Sequence, residues 1–302
     1  MPSFSQGLQD LRLERIFSAL ALTPGNLTFV ELGFPAIQTS NTEALVRRGG
    51  WSGVRFDGQC LGDAARDADA NCHRAWISSS NIAELFIAQR VRRDVDYVSI
   101  DLDTIDIWVF IALVRAGFRP KVLSIEYNSN FPVGFAFAFP DAEHAVPSQQ
   151  HRKWDKGCYM GSSASAVEMA AKELGYIIVD VEPGLDLFLV DAHLWSDRPR
   201  PVLTTDAIYR PFNIRSGHSA LRAGAYLDFA AWRASNGSLA HARSAAAAQL
   251  SALKLQRLPC FTEHQCPSTQ RVLCRDLWSV LCPPPNATGW FANPCHGARG
   301  MR

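Results

Sequence analysis

The chain has 302 residues, a formal net charge of +1 and an apolar fraction of 47%. That length holds one large domain or two modest ones with a proper core, and the near-neutral charge gives no global basic field to attract nucleic acid. No run approaches the roughly 18–20 apolar residues of a membrane span, and the opening MPSFSQGLQDLRLERIFSALAL, punctuated by Gln, Asp, Arg and Glu, does not read as a signal peptide.

From residue 5 to about 192 short apolar runs alternate with helical patterns. A helix over 5–20 sets Leu8, Leu11, Leu13, Ile16 and Phe17 roughly on one side. Strand LTFVELG (27–33) follows, and Ser40-x-x-Glu43 reads as the capping box of the next helix. Strand GVRFDG (53–58) leads to a polar helix near 60–70 and a short strand AWIS (75–78). SNIAELFIAQRV repeats the cap logic, with Ser80 or Asn81 ahead of Glu84. Strand DYVSID (96–101) runs into helix TIDIWVFIALVRAG, whose end is marked by Gly117 and Pro120. Strand KVLSIEYN (121–128), helix SSASAVEMAAKELG (162–175) and strands YIIVDV (176–181) and DLFLVDA (186–192) complete the series, the last two joined by a tight turn. This alternation predicts a mostly parallel sheet covered by helices on both faces, with a final antiparallel hairpin. Residues 193–302 read as an appendage, with Ala-rich helical patterns around 217–234 and 239–257 and an irregular, Cys-rich tail.

In such a sheet ligands bind beyond the carboxyl ends of the strands. Those ends are polar here: Glu31 and Gly33, Asp57 and Gly58, Ser78 to Asn81, Asp101 and Asp103, and Glu126 with Asn128. Each has a plain structural reading as well. Asp57-Gly58 suits a turn, Ser80 and Asn81 suit helix caps, and Asp103 or Thr104 would cap the helix that Asp106 opens. Alignment of polar residues at five successive strand ends is the stronger signal.

The ordered series SQGLQDLRLERIF, FVELG, SNTEALVRRGGWSGVRFDG, DYVSIDLDTIDIWVF, IEYN and YMGSSASAVEMAAKELGYIIVDVEPGLDLFLV resembles the FkbM-type S-adenosylmethionine-dependent methyltransferases over residues 5–192. The resemblance implies an α/β fold, the doubly wound, Rossmann-like class I methyltransferase sheet of about seven strands. It also implies that Glu31 and Gly33 line the methionine part of the cofactor, that Asn41 is a further cofactor contact, that Asp57 accepts the ribose hydroxyls, and that Ser79 and Asn81 lie near the adenine. Asp101 would face the sulfonium, and the implied reaction is O-methylation of a hydroxyl on a small molecule or glycan. Such a hydroxyl needs a base or a metal. Asp101, Asp103 and Glu126 are the candidate catalytic acids, and Asp101, Asp103 and Asp106 the candidate ligands of a divalent cation.

The sequence departs from that family where the family's first loop would carry an acid and a second Gly. Here it reads FPAIQT, with Pro35, Ala36 and Ile37, and a common Asn near the domain's end is Asp186. Two rival readings therefore stand beside the methyltransferase: a catalytically inactive scaffold of the same fold, and a metal-dependent sugar-nucleotide transferase using Asp101-Leu102-Asp103 as a DxD site. His144, His151 and Trp154 occupy a long loop that would contact substrate or simply be solvated. Cys260, His264 and Cys266 in the tail match no common zinc spacing. The clustered cysteines and the sequons at Asn26, Asn236 and Asn286 point towards an oxidising compartment, the opening residues towards the cytoplasm.

Overall fold

A computed structural model describes residues 4–23, 25–34, 37–129, 131, 133–139, 141, 161–208 and 227–252. In chain order the elements are α1 (Gln9–Ala19), β1 (Leu27–Leu32), α2 (Glu43–Arg48), β2 (Trp51–Asp57), α3 (Ala64–Asp69), β3 (Cys72–Arg74), α4 (Ile82–Ala88), β4 (Tyr97–Ile100) and α5 (Asp106–Arg115). They continue with β5 (Val122–Glu126), β6 (Phe137–Ala138), α6 (Ala164–Glu173), β7 (Tyr176–Glu182), β8 (Asp186–Asp191), α7 (Thr205–Ile208), β9 (Leu227–Asp228), α8 (Phe229–Ala234) and α9 (Leu239–Ala252).

Two compact units result. One comprises Met1–Glu126, Ala170–Glu182 and Asp186–Val202; the other comprises Tyr127–Met169, Pro183–Leu185 and Leu203–Arg302. The first holds a seven-stranded sheet of order β3-β2-β1-β4-β5-β8-β7. The first five strands are parallel, β8 runs antiparallel between β5 and β7, and this is a doubly wound, Rossmann-like sheet of the α/β class. In the second unit β6 and β9 form a short antiparallel pair, and Phe229 stacks on Trp232.

The central strands are apolar runs because both of their faces are covered. All four residues of β4 are buried, as are Val122–Ile125 of β5 and Leu187–Val190 of β8. Helix α5 is buried nearly all round, from Ile107 to Val114, as expected of a helix with no polar face. Helix α1 is one-sided. Its Leu13, Ile16 and Phe17 fall at i, i+3 and i+4 and pack with Phe29, Tyr97, Val122, Phe188 and Val190. Arg12 holds the same helix to β7 through Asp180 (2.5 Å) and Glu182 (2.7 Å). At the amino edge of the sheet the fully buried Asp96 accepts from the Thr28 backbone N–H and from Lys121 Nζ (2.6 Å), so its charge is compensated.

Several expectations need correction. The third strand is Cys72–Arg74, not 75–78: its register is set by Arg55↔Cys72 and Asp57↔Arg74, and residues 75–78 instead form the non-strand approach to the turn before α4. Asn81 and Ser80 do not cap α4. Asn81 accepts from the Ser78 N–H and donates to the Trp76 carbonyl, tying that turn to itself. Neither Asp103 nor Thr104 caps α5: Asp103 takes a left-handed φ of 65°, and Asp106 Oδ1 reaches back to the Leu102 N–H at 2.7 Å. The capping box holds in half: Ser40 Oγ accepts from the Glu43 N–H, but the Glu43 carboxylate turns to Arg47 and Arg55. The two Ala-rich helices are 229–234 and 239–252, and their expected extensions over 217–226 and 253–257 lie outside the described residues. His144, His151, Trp154, Asn286 and the tail cysteines lie outside them too.

Candidate active site at the carboxyl edge

The strand order reverses between β1 and β4, and in open α/β sheets that switch point opens the ligand crevice. Gly33 and Asp101 sit there. Gly33 has φ 84°, and a Cβ on it would lie 1.7 Å from the Asp101 carbonyl oxygen, so only glycine fits. The Gly33 N–H donates to Phe56 O and the Asp101 N–H to Leu32 O, which ties the ends of β1, β2 and β4 together.

Glu31, one residue short of the end of β1, is buried and engaged on both oxygens. Oε1 accepts from the Asn41 N–H, and Oε2 accepts from Ser40 Oγ, Thr42 Oγ1 and Arg55 Nε. Burial pushes its carboxyl up despite the opposing Arg55 charge. Arg55, 3% exposed, also bonds Glu43 (3.1 Å) and the Ala70 carbonyl, and lies 4.5 Å from the Phe34 ring centre. Glu31 thus serves as the anchor that presses residues 40–42 onto the sheet. A buried polar row continues across the sheet: Asn41 Nδ2 donates to Ser99 Oγ, Ser124 Oγ donates to Ser99 Oγ, and Ser124 meets the Tyr97 hydroxyl at 2.7 Å.

On β4 and β5 the acids gather. Asp101, Asp103 and Glu126 each bring an oxygen within 4.8 Å of the others, and all three are half-buried, so the cluster opens to solvent. The Asp101 and Glu126 carboxyls hydrogen-bond one another, and burial followed by mutual like charge holds both well above the usual carboxylate range. Asp106 lies behind them, pushed up to about 8 mainly by burial. Asp186 lies opposite Glu126 on β8 and is pushed up to about 7 for the same reason. In contrast with Asp96, no ion pair reaches Asp101, Asp106 or Glu126 among the described residues. Three buried acceptors here have no donor: Asn41 Oδ1, Asp106 Oδ2 and Glu126 Oε2. Groups of this kind are normally satisfied, which sets these three atoms apart from the fully engaged Glu31.

Asp57, 6% exposed, turns Oδ1 to the Gln59 and Cys60 N–H groups, and Oδ2 takes no part in these bonds. Ser79 and Asn81 lie in the turn ahead of α4, and beside it the Trp76 ring, 60% exposed, rests 3.4 Å from where a Cβ on Gly58 would stand.

Two features were not legible in the sequence. Cys60 and Cys72 form a disulfide, and Phe34, fully buried, packs on it with Ile37, Leu61 and Ala70 around it. The altered loop therefore fills the wedge between β1 and the end of β2 with an aromatic ring. The polar row of Ser99 and Ser124 was also missed, although a Ser inside each of two apolar strands is a signal that could have found it.

No protein-family model matches the chain, and no curated protein sequence matches it. Among solved structures, the chain is similar to the N-terminal domain of EvdMO1 with SAH bound, at 16% identity and TM-score 0.38, over 62% of this chain and 82% of that one. It is also similar to a putative hemolysin from Lactococcus lactis, at 12% identity and TM-score 0.37, over 63% of this chain and 90% of that one. Another similar structure is a putative hemolysin from Streptococcus thermophilus, at 12% identity and TM-score 0.36, over 69% of this chain and 74% of that one.

Proposed function

We propose that this chain is an S-adenosylmethionine-dependent O-methyltransferase of FkbM type, acting on a hydroxyl of a small molecule or glycan. The observation that carries this reading is the carboxylate cluster at the switch point, with its unpartnered polar atoms and, among the described residues, no ion-paired cation. The donor set fits the cofactor: Asn41 Oδ1 would accept from its ammonium group, Asp57 Oδ2 from the ribose hydroxyls, and Trp76 offers an indole face to the adenine. When bound, the cofactor supplies a methyl group on a positively charged sulfur.

The protein's own part is positioning and proton handling. Asp101 and Glu126 hydrogen-bond one another, and each holds the other's carboxyl up, so the pair favours sharing one proton between them. The member without the proton would take the acceptor's hydroxyl proton and ready that oxygen for the methyl group the cofactor would supply. Asp103, with its oxygen in the same cluster, would orient the acceptor. The same three carboxylates have the spacing to hold a divalent cation, and turnover that survives EDTA assigns the step to the carboxyl pair instead.

The second reading, an inactive scaffold, draws on Phe34 and the Cys60–Cys72 bridge filling the wedge beside Asp57. Calorimetry with S-adenosylmethionine and S-adenosylhomocysteine separates the two. Wild type should bind both, and Asp57→Ala should weaken binding about 10-fold or more, the loss of a charge-assisted hydrogen bond. If wild type binds neither while Phe34→Ala does, the scaffold reading holds and the enzyme reading falls.

A further inference from the structure

We propose that this chain is an N-glycoprotein that folds in an oxidising lumen, with Asn26 and Asn236 as its glycan-bearing asparagines. Two independent observations meet here, and neither depends on the catalytic reading.

The first is the Cys60–Cys72 bridge. Both cysteines are nearly sealed, at 4% and 8% exposure, beneath Phe34, Ile37 and Leu61. An oxidant has little access to these sulfurs once the loop has closed over them, so the bond is laid down while the chain folds. Reducing compartments keep such thiols apart, whereas lumenal and extracellular spaces oxidise them. The reaction is exchange with an oxidised dithiol protein: the S–S bond forms here, the donor's S–S bond breaks, and two protons and two electrons leave with the donor as its dithiol.

The second observation is the placement of the sequons. Asn26 sits in the turn before β1, whose first two residues, Leu27 and Thr28, complete the sequon; Asn26 is exposed and its side chain makes no hydrogen bond among the described residues. The turn is open, since nothing lies within 4 Å of where a Cβ on Gly25 would stand. Asn236-Gly237-Ser238 forms the turn between α8 and α9, where Asn236 is exposed at φ 53° and Ser238 Oγ accepts from the His241 N–H just ahead of α9. A glycan at either place points into solvent and displaces no packed atom. Asn41 and Asn128, each 5% exposed, lack both the sequon and the room. The transfer joins Asn Nδ2 to the anomeric carbon of a lipid-pyrophosphate-linked oligosaccharide. The carbon–oxygen bond to the pyrophosphate breaks, and one Nδ2 proton is released.

The test uses the full-length protein isolated from the cells that make it. It is alkylated without reductant, digested, and treated with peptide N-glycosidase in heavy-oxygen water. The expected result is heavy-oxygen aspartate at positions 26 and 236 and a cross-linked Cys60–Cys72 peptide. Asn26→Gln and Asn236→Gln should each remove one glycan's step in gel mobility. Unmodified asparagine at both positions overturns the proposal, as does recovery of Cys60 and Cys72 as alkylated free thiols. A glycan at one position alone overturns the assignment of the other.

Discussion

Replacing Asp186 with Asn should make the protein more stable in mild alkali. Asp186 is 3% exposed, and its carboxyl is pushed up to about 7 by burial, against the side-chain donors of Gln9 and Asn41 and with Glu182 and Glu31 adding like charge. The rise from 3.8 to about 7 is roughly three pH units, a ceiling of about 4 kcal/mol at 1.36 kcal/mol per unit. Between those two values the folded chain holds this proton and the unfolded chain does not. Stability therefore falls as pH rises through that window, and the whole penalty stands above it. Asn has the same shape and no charge. Allowing for coupling to neighbouring acids and for the lost charged acceptor, we expect Asp186→Asn to gain about 1–3 kcal/mol at about pH 8.5 and roughly a third of that at about pH 5. Urea unfolding at both pH values, in EDTA, measures it. Asp101, Asp106 and Glu126 shift stability in the same direction in both proteins, and each is raised in part by the Asp186 charge, so the difference between the two reports position 186 together with its coupling to them. A variant less stable than wild type at the higher pH, or one with an unchanged gap between the two pH values, would refute the reasoning.

Arg55→Met leaves Glu31 buried without its cation and Glu43 with Arg47 alone, and should cost about 3–5 kcal/mol in chemical unfolding; a loss below about 1 kcal/mol would show the pairs to be dispensable. Gly33→Ala meets the Asp101 carbonyl oxygen at 1.7 Å and a left-handed φ, so a loss of more than about 2 kcal/mol is expected from its melting curve. Dithiothreitol should lower stability by about 3 kcal/mol through the Cys60–Cys72 bridge, and an identical melting temperature with and without reductant would contradict that.

Most of the sheet was legible because its strands are continuous apolar runs and its long helices carry their own periodicity: VSI, VLSI and LFLV could hardly be anything else. The third strand was not, since AWIS has the better strand composition while Cys72–Arg74 has the partner. Pairing with β2 and a covalent tie outweigh local propensity there. The caps failed for a related reason. Asp103 and Thr104 have capping side chains, but the Asp101 N–H is tied to Leu32, and the chain turns through a left-handed Asp103 before the helix begins. In the site, residue types and strand ends bring Asp101, Asp103 and Glu126 to one edge, whereas the bonds that Glu31 makes to Ser40, Thr42 and Arg55, which come from other segments, have no local signal. Eight cysteines give no pairing from spacing alone. The bridge became visible once Cys60 and Cys72 were seen to flank α3 beside the paired strands β2 and β3.

Arg55 has a historical consequence. Its guanidinium holds Glu31 on one strand and Glu43 at the head of a helix, in a place where water cannot stand in for either. Arg55 cannot change alone without stranding Glu31, which no other cation reaches among the described residues, whereas Glu43 keeps Arg47. Among descendants of this sequence, position 55 should therefore have lost its charge only where position 31 lost its acid. Coordinated substitution at those two columns would trace the lineage in which this loop took its present form.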